Sequence, residues 1–434
     1  MTAKGRVFRA LVVGSVATGL GSPAAAMAQQ RITCPAPEGI VGDLVHPFAA
    51  VRYLSDDLLA GRLSGTVEER CTAEYVAREF ARIGLAPGGT GGGFLQAVPL
   101  QSVINPHAPV GKGMNVIGVL PGSDPVLRSE AVVVGAHHDH LGTGEFFGSL
   151  ADPSEPPAIH NGADDNASGV GAVLALAERL AAGTPPARSV VFVTFSGEEF
   201  GLLGSSQFVQ APPIPLDRTI AMVNLDMVGR LGEGPLIVNG TGTAVEWGAI
   251  LDSLEAAAGI PLARSPDGFG PSDQTSFYAR DIPALHLFTN VHGEYHRPSD
   301  DWELVDRVGL ERVVTFLQGL VLAVANRPAS ITHVAGAGSP PGDVPGGYGA
   351  YLGTVPDFAP VEYGVKLSGV SGESPAERAG MRAGDILVRL GEYEISDLYA
   401  LTDALRALAP GTEVEVTYLR EGEEIRMRVV LGER

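Results

Sequence analysis

Basic residues are scarce in this sequence. Its 434 residues include 30 Lys and Arg against 50 Asp and Glu, which gives a formal net charge of −20. Proteins that work mainly on nucleic acids or anionic membranes need a positive field, so the composition argues against both classes of partner. An acidic site would instead favour a cationic group, such as the amino terminus of a peptide.

Cysteine is almost absent, because the chain contains only Cys34 and Cys71. No histidine motif surrounds either residue, so neither is predicted to be catalytic. In an oxidising compartment the two would be candidates for a single disulfide near the amino terminus of the mature chain. Two free thiols are the alternative, and the sequence alone leaves both open.

The amino-terminal segment contains an apolar stretch, ALVVGSVATGL, that is too short to span a bilayer. It follows basic residues and precedes the small residues Ala26 and Ala28. These features are typical of a signal peptide, which we place at residues 1–28. A retained membrane anchor is the alternative, although no Leu-x-x-Cys lipidation pattern lies near the junction. We therefore predict an exported protein, periplasmic or secreted, without a membrane anchor after cleavage.

Strand and helix patterns alternate through the middle of the chain. Apolar runs at 131–136, 189–195 and 220–226 are typical of buried strands, and helical periodicity at 167–180 and 243–258 separates or follows them. This alternation predicts an α/β fold with a mostly parallel sheet flanked by helices.

Composition also marks the domain boundaries. Residues 45–86 have helical periodicity and open the large domain, which we place at 29–326. The stretch 327–345 is rich in Pro and Gly and is predicted to be a linker. A second, smaller domain would then occupy 346–434.

Imidazole and carboxylate side chains follow three of the predicted strands. His137 follows the first strand, Glu198 and Glu199 follow the second, and Asp226 ends the third. Ligands in open α/β sheets collect just outside the carboxyl ends of the strands, so these side chains can converge. Two more motifs with ligand side chains are present, HNGADDNASG (160–169) and EYHRPSDD (294–301). The sequence therefore predicts a metal site.

Five segments together resemble one known family. In chain order they are GAHHDHLG, GADDNASG, SGEEFGLLGS, NLDMVGR and HRPSDD. This series resembles the M28 metallopeptidases, the zinc aminopeptidases with a phosphorylase/hydrolase-like α/β fold, over roughly residues 40–325. Five motifs in the correct order are far more specific than any one of them.

The resemblance implies two zinc ions and five ligands. His137 and Asp226 would bind one ion, Glu199 and His296 the other, and Asp164 would bridge both. Chemistry agrees, because two dications about 3.5 to 4 Å apart need a shared carboxylate to relieve their repulsion. Nitrogen and oxygen ligands suit Zn²⁺, and Mn²⁺ or Co²⁺ is also possible because no thiolate enforces the choice.

The resemblance implies supporting roles as well. Asp139, two residues after His137, would orient that imidazole. Glu198, next to a ligand, would be the general base that takes a proton from water and hands it to the leaving amine. A cis peptide bond between Asp164 and Asp165 is a further expectation from the family.

Other histidines have weaker claims to a role. His138 and His140 are expected in the core or behind the ligands, with metal contact as the alternative, because alternate strand residues face opposite ways. His160, in a Gly- and Pro-rich stretch, is expected to be exposed, and His286 to be a hydrogen-bonded core residue. His292 is an alternative pocket residue.

The stretch GFGPSDQTSFY departs from the family pattern. Relatives usually have Ser-Asp-His where this chain has Ser272, Asp273 and Gln274, and some have a tyrosine near the position of Phe269. Phe269 cannot donate a hydrogen bond to an oxyanion. The metals, Tyr278 or a backbone amide would have to take that role.

The carboxy-terminal part resembles a PDZ domain, a small α+β fold. GYGAYLG (347–353) stands where the carboxylate-binding loop should be, and SPAERAGMRAGDILVRLGEYEI matches the central stretch of the family. Such domains bind an extended peptide by strand addition and hold its terminal carboxylate on backbone amides. A domain that packs on its neighbour without binding peptides is the alternative.

We therefore predict an exported di-zinc exopeptidase, namely an aminopeptidase that acts on peptides. A carboxypeptidase or dipeptidase, and a single-zinc glutaminyl cyclase, are alternatives on the same fold. A non-catalytic binding protein is a third alternative, but such descendants typically lack ligands and this chain has the full set.

Overall fold

A computed structural model describes residues 33–433 apart from 101–110, 146–147, 150, 152–155, 291, 338–349, 357–360, 362, 371–373 and 397. The predicted signal peptide (1–28), residues 338–345 of the predicted linker and the first residues of the GYGAYLG loop lie outside the described residues.

The described residues of the large domain form one mixed sheet. Its strands are β1 (Ala86–Pro87), β2 (Leu95–Pro99), β3 (Lys112–Leu120), β4 (Ala131–His137), β5 (Ser189–Phe195), β6 (Thr219–Leu225), β7 (Leu236–Asn239), β8 (Leu262–Ser265) and β9 (Ala284–Phe288). The spatial order is β1-β3-β5-β4-β6-β9-β7-β8, and β2 pairs with β3. The central strands β5, β4, β6 and β9 are parallel, whereas β3 and β7 join them antiparallel. The prediction of a mostly parallel sheet is confirmed.

Helices cover both faces of this sheet. They are α1 (Glu38–Val41), α2 (Phe48–Leu54), α3 (Val67–Ile83), α4 (Gly169–Ala182), α5 (Leu203–Gln210), α6 (Trp247–Ala258), α7 (Gln274–Tyr278) and α8 (Arg307–Ala325). Alternate residues of β4 point to opposite faces of the sheet. Val132 and Val134 lie in a core cluster with residues of α2, α3, α4, α6 and α8. Val133 lies in a second cluster with residues of α5 and α7. This two-residue period is what a strand buried on both faces requires.

Helix boundaries follow local chemistry. The Thr66 side chain accepts a hydrogen bond from the Glu69 amide and caps α3, and Gly84, at φ +90°, ends it. Among the described residues, α8 is long and apolar enough to cross a membrane by length and composition. It nevertheless contributes Leu310 and Phe316, among other buried residues, to the core of this fold.

The predicted helical region 45–86 is interrupted. Helices α2 and α3 are separated by a loop in which Ala60, Gly61 and Arg62 all have positive φ. Helical periodicity on both sides of this loop hid it from the sequence pattern. Cys71, in α3, forms a disulfide with Cys34, so the alternative of two free thiols is wrong in this structure.

The predicted linker begins too early. Residues 327–337 pack against the large domain: Val334 donates its amide to the Thr243 carbonyl, and Ala337 donates its amide to the Tyr278 hydroxyl. Ala244 and His333 form an antiparallel bridge. The segment is irregular because Pro and Gly prevent regular structure, but its backbone hydrogen bonds attach it to the domain.

The carboxy-terminal domain has its own core. Its elements are β10 (Ala350–Tyr351), β11 (Thr354–Pro356), β12 (Val365–Val370), α9 (Pro375–Arg378), β13 (Ile386–Leu390), β14 (Tyr393–Glu394), α10 (Leu398–Ala407), β15 (Glu413–Arg420), β16 (Glu423–Val430) and β17 (Gly432–Glu433). Strands β11-β12-β13-β15-β16 form an antiparallel sheet in that order, and β10 pairs with β17. Leu352, Leu387 and Val416 are among the residues buried between these elements.

Candidate metal centre

The carboxyl ends of β4, β5 and β6 lie at one edge of the sheet. His137 is opposite Phe195 in the parallel β4–β5 register, and Gly135 is opposite Asn224 in the β4–β6 register. The chain therefore delivers His137, Glu199 and Asp226 to the same place, as predicted from the strand ends.

A first group of ligand atoms surrounds His137. Its Nε2 atom lies 3.2 Å from Asp165 Oδ1 and 3.3 Å from Asp226 Oδ1. Two atoms bound to one tetrahedral zinc at ~2.0–2.1 Å lie about 3.3 Å apart. The spacing of this group therefore suits a zinc ion.

A second group surrounds His296. Its Nε2 atom lies 3.2 Å from Asp165 Oδ2 and 3.4 Å from Glu199 Oε2. Asp165 thus presents one carboxylate oxygen to each group. This division of one carboxylate between two sets of nitrogen and oxygen donors is the arrangement that two neighbouring dications need.

The placement of Asp164 corrects the prediction. Asp164 Oδ1 accepts a hydrogen bond of 2.6 Å from the Gly229 amide, and Oδ2 lies 3.1 Å from His292 Nε2, so its carboxylate faces away from the two groups. The prediction that Asp164 is the shared carboxylate is wrong by one residue, and so is the predicted cis bond, which joins Asp165 to Asn166. Because the two aspartates are adjacent in GADDNASG, the sequence pattern could not show which of them faces the two groups.

A buried carboxylate fixes the Asp165 backbone. Asp300 Oδ2 accepts hydrogen bonds from the amides of Asp164 (2.9 Å) and Asp165 (3.1 Å), while Oδ1 accepts one from Arg230. Asn166 Oδ1 accepts from the Gly169 amide at the start of α4. The turn that aims Asp165 into the centre is therefore held from both sides.

Charge in the centre is strongly negative. Burial alone would lower the pKa of His137, but the charges of Glu198 and Asp226 outweigh it and raise that pKa well above its usual range. His296 behaves alike: Glu199 and Asp165 overcome burial and raise its pKa to about 9. A carboxylate cluster that holds imidazoles protonated is one that bound cations would neutralise.

Glu198 also lies beside the first group. One carboxylate oxygen of Glu198 lies within 4.8 Å of a ring nitrogen of His137 and of a carboxylate oxygen of Glu199. Burial raises the pKa of Glu198 well above its usual range, against the opposing charge of His137 and with the support of Glu199. A carboxyl group with a raised pKa next to a ligand is suited to accept and return a proton.

Asp139 supports the site in a different way from the one predicted. Its carboxylate accepts hydrogen bonds from the Ser64 hydroxyl (2.7 Å) and the Glu198 amide (3.2 Å). Asp139 Oδ1 lies 3.8 Å from His137 Nδ1, whereas its backbone carbonyl is 3.3 Å from that atom. The orienting contact with His137 is therefore the carbonyl, and the carboxylate holds the Glu198 backbone.

Three other histidines contribute no atom to the two ligand groups described above. His138 pairs with Glu69 Oε1 (3.0 Å) and the Thr194 hydroxyl in the core, as expected for the opposite strand face. His286 is buried, and burial lowers its pKa. The expectation that His160 is exposed is wrong, because it is buried and contacts the Ser149 hydroxyl at 2.8 Å.

The structure removes one candidate for the oxyanion donor. The Tyr278 hydroxyl donates to the Val334 carbonyl (2.9 Å) and accepts from the Ala337 amide (2.7 Å). The hydroxyl proton of Tyr278 is therefore hydrogen-bonded to the segment after α8 and is not available to an oxyanion. Phe269 packs edge-on against the Tyr278 ring, and burial raises the pKa of nearby Asp273 to about 7.

Arg62 is a supporting residue that sequence reasoning missed. Its buried guanidinium donates to the backbone carbonyls of Leu54, His138, Asn161 and Gly162. It therefore ties the loop between α2 and α3 to both segments that carry ligands. A lone arginine in AGRLSG gave no sequence signal for this role.

Comparison with known proteins agrees with this architecture. Residues 115–320 match Peptidase family M28, and residues 351–431 match the PDZ domain. A probable leucine aminopeptidase of Arthroderma otae is 28% identical over 206 residues, which cover 45% of this chain and 53% of that protein. The chain thus spans about half the length of this curated relative.

Two solved structures share the fold. BSAP, a zinc aminopeptidase from Bacillus subtilis, aligns with a TM-score of 0.50 and 20% identity over 67% of this chain and 97% of that one. The glutaminyl cyclase of Porphyromonas gingivalis aligns with a TM-score of 0.53 and 19% identity over 63% of this chain and 96% of that one.

The mostly parallel sheet with its strand-end cluster is the α/β fold seen in the zinc aminopeptidase structure. The chain carries a domain of peptidase family M28, followed by a PDZ domain, so both predicted resemblances are confirmed.

Proposed function

We propose that the protein is an exported di-zinc aminopeptidase. The observation that supports this most strongly is the Asp165 carboxylate, which presents Oδ1 to His137 and Oδ2 to His296. His137 and Asp226 would complete one zinc site, and His296 and Glu199 the other. Mn²⁺ or Co²⁺ could occupy the same nitrogen and oxygen donors.

The protein groups divide the hydrolytic work. When bound, the two ions would lower the pKa of a water molecule and stabilise negative charge on the substrate carbonyl oxygen. Glu198 accepts the proton of that water and returns it to the leaving amine nitrogen. The Asp139 carboxylate accepts a hydrogen bond of 3.2 Å from the Glu198 amide, which fixes the position of the base.

Charge around the centre supports an amino-terminal substrate. Glu198, Asp226 and Asp273 surround His137 with carboxylates. Such a setting attracts a protonated α-amino group. A carboxypeptidase needs a cation for the substrate carboxylate. Arg62 and Arg230 are engaged elsewhere, because Arg62 donates to protein carbonyls and Arg230 donates to Asp300. The aminopeptidase relative agrees with this choice.

A glutaminyl cyclase is the second candidate, because a protein of that name shares the fold. A single-zinc cyclase has no need for a carboxylate divided between two ligand groups. The Asp165 geometry therefore favours hydrolysis. A metal content of one zinc per active chain would favour the cyclase.

Export is supported by the disulfide between Cys34 and Cys71. Disulfides persist in the periplasm or outside the cell and are rare in the cytosol. Mass spectrometry of the protein from the native compartment tests this. We expect a mature chain that begins at Gln29 with both thiols blocked, and an intact amino terminus with free thiols would contradict it.

The PDZ domain is proposed to bind the carboxyl terminus of peptide substrates. Gly353, at φ +80°, follows the buried Leu352, and a Cβ atom at this glycine would lie 2.2 Å from Ser374 Cβ. The loop conformation thus requires glycine. Long peptides with a free carboxyl terminus should show a lower KM than their carboxamides. Equal KM values would contradict this role.

Initial rates on amino-acid arylamides test the main proposal. Purified protein should cleave unblocked arylamides, fail on amino-terminally acetylated ones, and lose activity with a chelator. Activity is then expected to return with Zn²⁺. Cleavage of blocked substrates, or full activity after chelation, would contradict the proposal.

A further inference from the structure

His140 is a buried histidine next to the second ligand group. Its side chain has no exposed surface. Its backbone amide donates to the Arg62 carbonyl at 3.2 Å, and it forms a parallel bridge with Leu63. The loop between α2 and α3 therefore fixes the position of this ring independently of any metal.

The two carboxylate oxygens of Glu199 have different neighbours. Oε1 lies 2.7 Å from His140 Nδ1, whereas Oε2 lies 3.4 Å from His296 Nε2. A carboxylate oxygen accepts hydrogen bonds, so His140 Nδ1 is the donor in this contact. His140 Nε2 has no hydrogen-bond partner among the described residues, and a ring N–H at Nδ1 that donates to Glu199 leaves no buried N–H unpaired.

Direct coordination by His140 fits the distances less well. Two atoms on one tetrahedral zinc lie about 3.3 Å apart. His140 Nδ1 is closer than this to Glu199 Oε1 (2.7 Å) and farther than this from Asp165 Oδ2 (4.0 Å). The shorter distance is that of a hydrogen bond to a charged acceptor.

We propose that His140 is a positioning residue for the second metal, an inference that rests on the proposed di-zinc function. By donating to Oε1, it fixes the rotation of the Glu199 carboxylate so that Oε2 alone faces the ion beside His296. Glu199 Oε2 lies 3.4 Å from His296 Nε2 in the second group, so the main effect is expected on the ion held there. Hydrogen bonds to ligating carboxylates are worth about 10- to 100-fold in metal affinity.

The test compares two substitutions in the full-length mature protein. His140→Leu removes the donor, whereas His140→Asn keeps an N–H close to the position of Nδ1. Stepwise zinc affinities are measured by competition with a chromophoric chelator, and folding is checked by circular dichroism. His333→Leu, a partly buried histidine on the segment after α8, is the control.

The expected result is selective. His140→Leu should bind one zinc as the wild type does and the second about 10- to 100-fold more weakly. His140→Asn should recover most of the second affinity, and His333→Leu should match the wild type. Two unchanged affinities in His140→Leu would overturn the inference. A wild-type protein that binds no zinc would instead overturn the proposed function.

A second measurement decides the matter if His140→Leu does not fold. The wild type is loaded with ¹¹³Cd and labelled with ¹⁵N at histidine, and scalar couplings count the coordinated imidazoles. Couplings to His137 and His296, with a protonated and uncoupled Nδ1 on His140, support a positioning role. A third coupling, to His140 Nδ1, would overturn it because His140 would then be a ligand.

Discussion

Asp300 accepts a hydrogen bond of 3.1 Å from the backbone amide of Asp165. The contact joins the end of the HRPSDD motif to the carboxylate that faces both ligand groups. Because Arg230 donates to the other oxygen of Asp300, the acceptor itself is fixed in place. The orientation of the Asp165 carboxylate therefore depends on a side chain that contributes no atom to the two ligand groups.

Replacing Asp300 should weaken metal binding. Asp300→Asn replaces one carboxylate oxygen with an NH2 group, which donates and so cannot accept from Arg230 or from the amides of residues 164 and 165. One of these contacts is therefore lost, and Asp165 is held less firmly. We expect both zinc affinities to fall about 10- to 100-fold, as is usual for outer-shell partners. Isothermal titration calorimetry measures this. Asp217→Asn, at an exposed position, is the control, and unchanged affinities in Asp300→Asn would contradict the prediction.

Removing the base should separate catalysis from metal binding. Glu198→Gln keeps the size of the side chain and loses its proton acceptor. We expect two bound zinc ions and kcat reduced by about 10² to 10⁴, the range for general acid–base catalysis. Metal analysis and arylamide kinetics on the same sample provide the measurement. Activity within a few fold of the wild type would mean that another group transfers the proton.

Acid should selectively remove one ion pair of the PDZ domain. Burial would raise the pKa of Asp385, but the two hydrogen bonds of 2.8 Å from Arg420 outweigh it and lower that pKa below its usual range. A carboxyl group whose folded-state pKa is lowered stabilises the fold above its unfolded-state pKa of ~3.9. That stabilisation is lost as the pH falls through the folded-state value.

Asp385→Asn tests this linkage. At pH 7 the variant should unfold at a lower temperature than the wild type, and the gap should narrow as the pH falls below about 4. Calorimetry of the full-length protein follows the transition. A gap that stays constant down to pH 3 would contradict the assigned ion pair.

The disulfide should stabilise the large domain. Cys34 and Cys71 are 37 residues apart, and closing a loop of that size typically contributes about 2–4 kcal/mol. The double variant Cys34→Ala/Cys71→Ala should therefore lower the free energy of unfolding by this amount in urea titrations, with zinc held constant. A loss below 0.5 kcal/mol, on the order of an ordinary surface substitution, would contradict this.

Sequence patterns were sufficient for the central strands and for bringing together most side chains of the candidate centre. Strands β4, β5 and β6 are fully buried apolar runs, and a side chain at the end of such a run has a defined position at the sheet edge. His137, Glu199 and Asp226 were found in this way. Side chains in irregular turns have no such position that a strand pattern could predict.

The misses all lie in irregular segments. At GADDNASG, the non-helical turn at Asp165 and Asn166 decides which aspartate faces His137 and His296. Tyr278 is not an oxyanion donor because Val334 and Ala337 hydrogen-bond to its hydroxyl, and the sequence gives no sign of this contact. Tertiary hydrogen bonds of this kind leave no periodic trace in a sequence.

The central claim is that Asp165, and not Asp164, is shared by two zinc ions. Zinc content of Asp165→Asn and Asp164→Asn, measured by elemental analysis after dialysis against submicromolar free zinc, tests it most directly. We predict two zinc ions per chain in the wild type, at least one retained by Asp164→Asn, and none retained by Asp165→Asn. Two ions in Asp165→Asn, or none in the active wild type, would contradict the account.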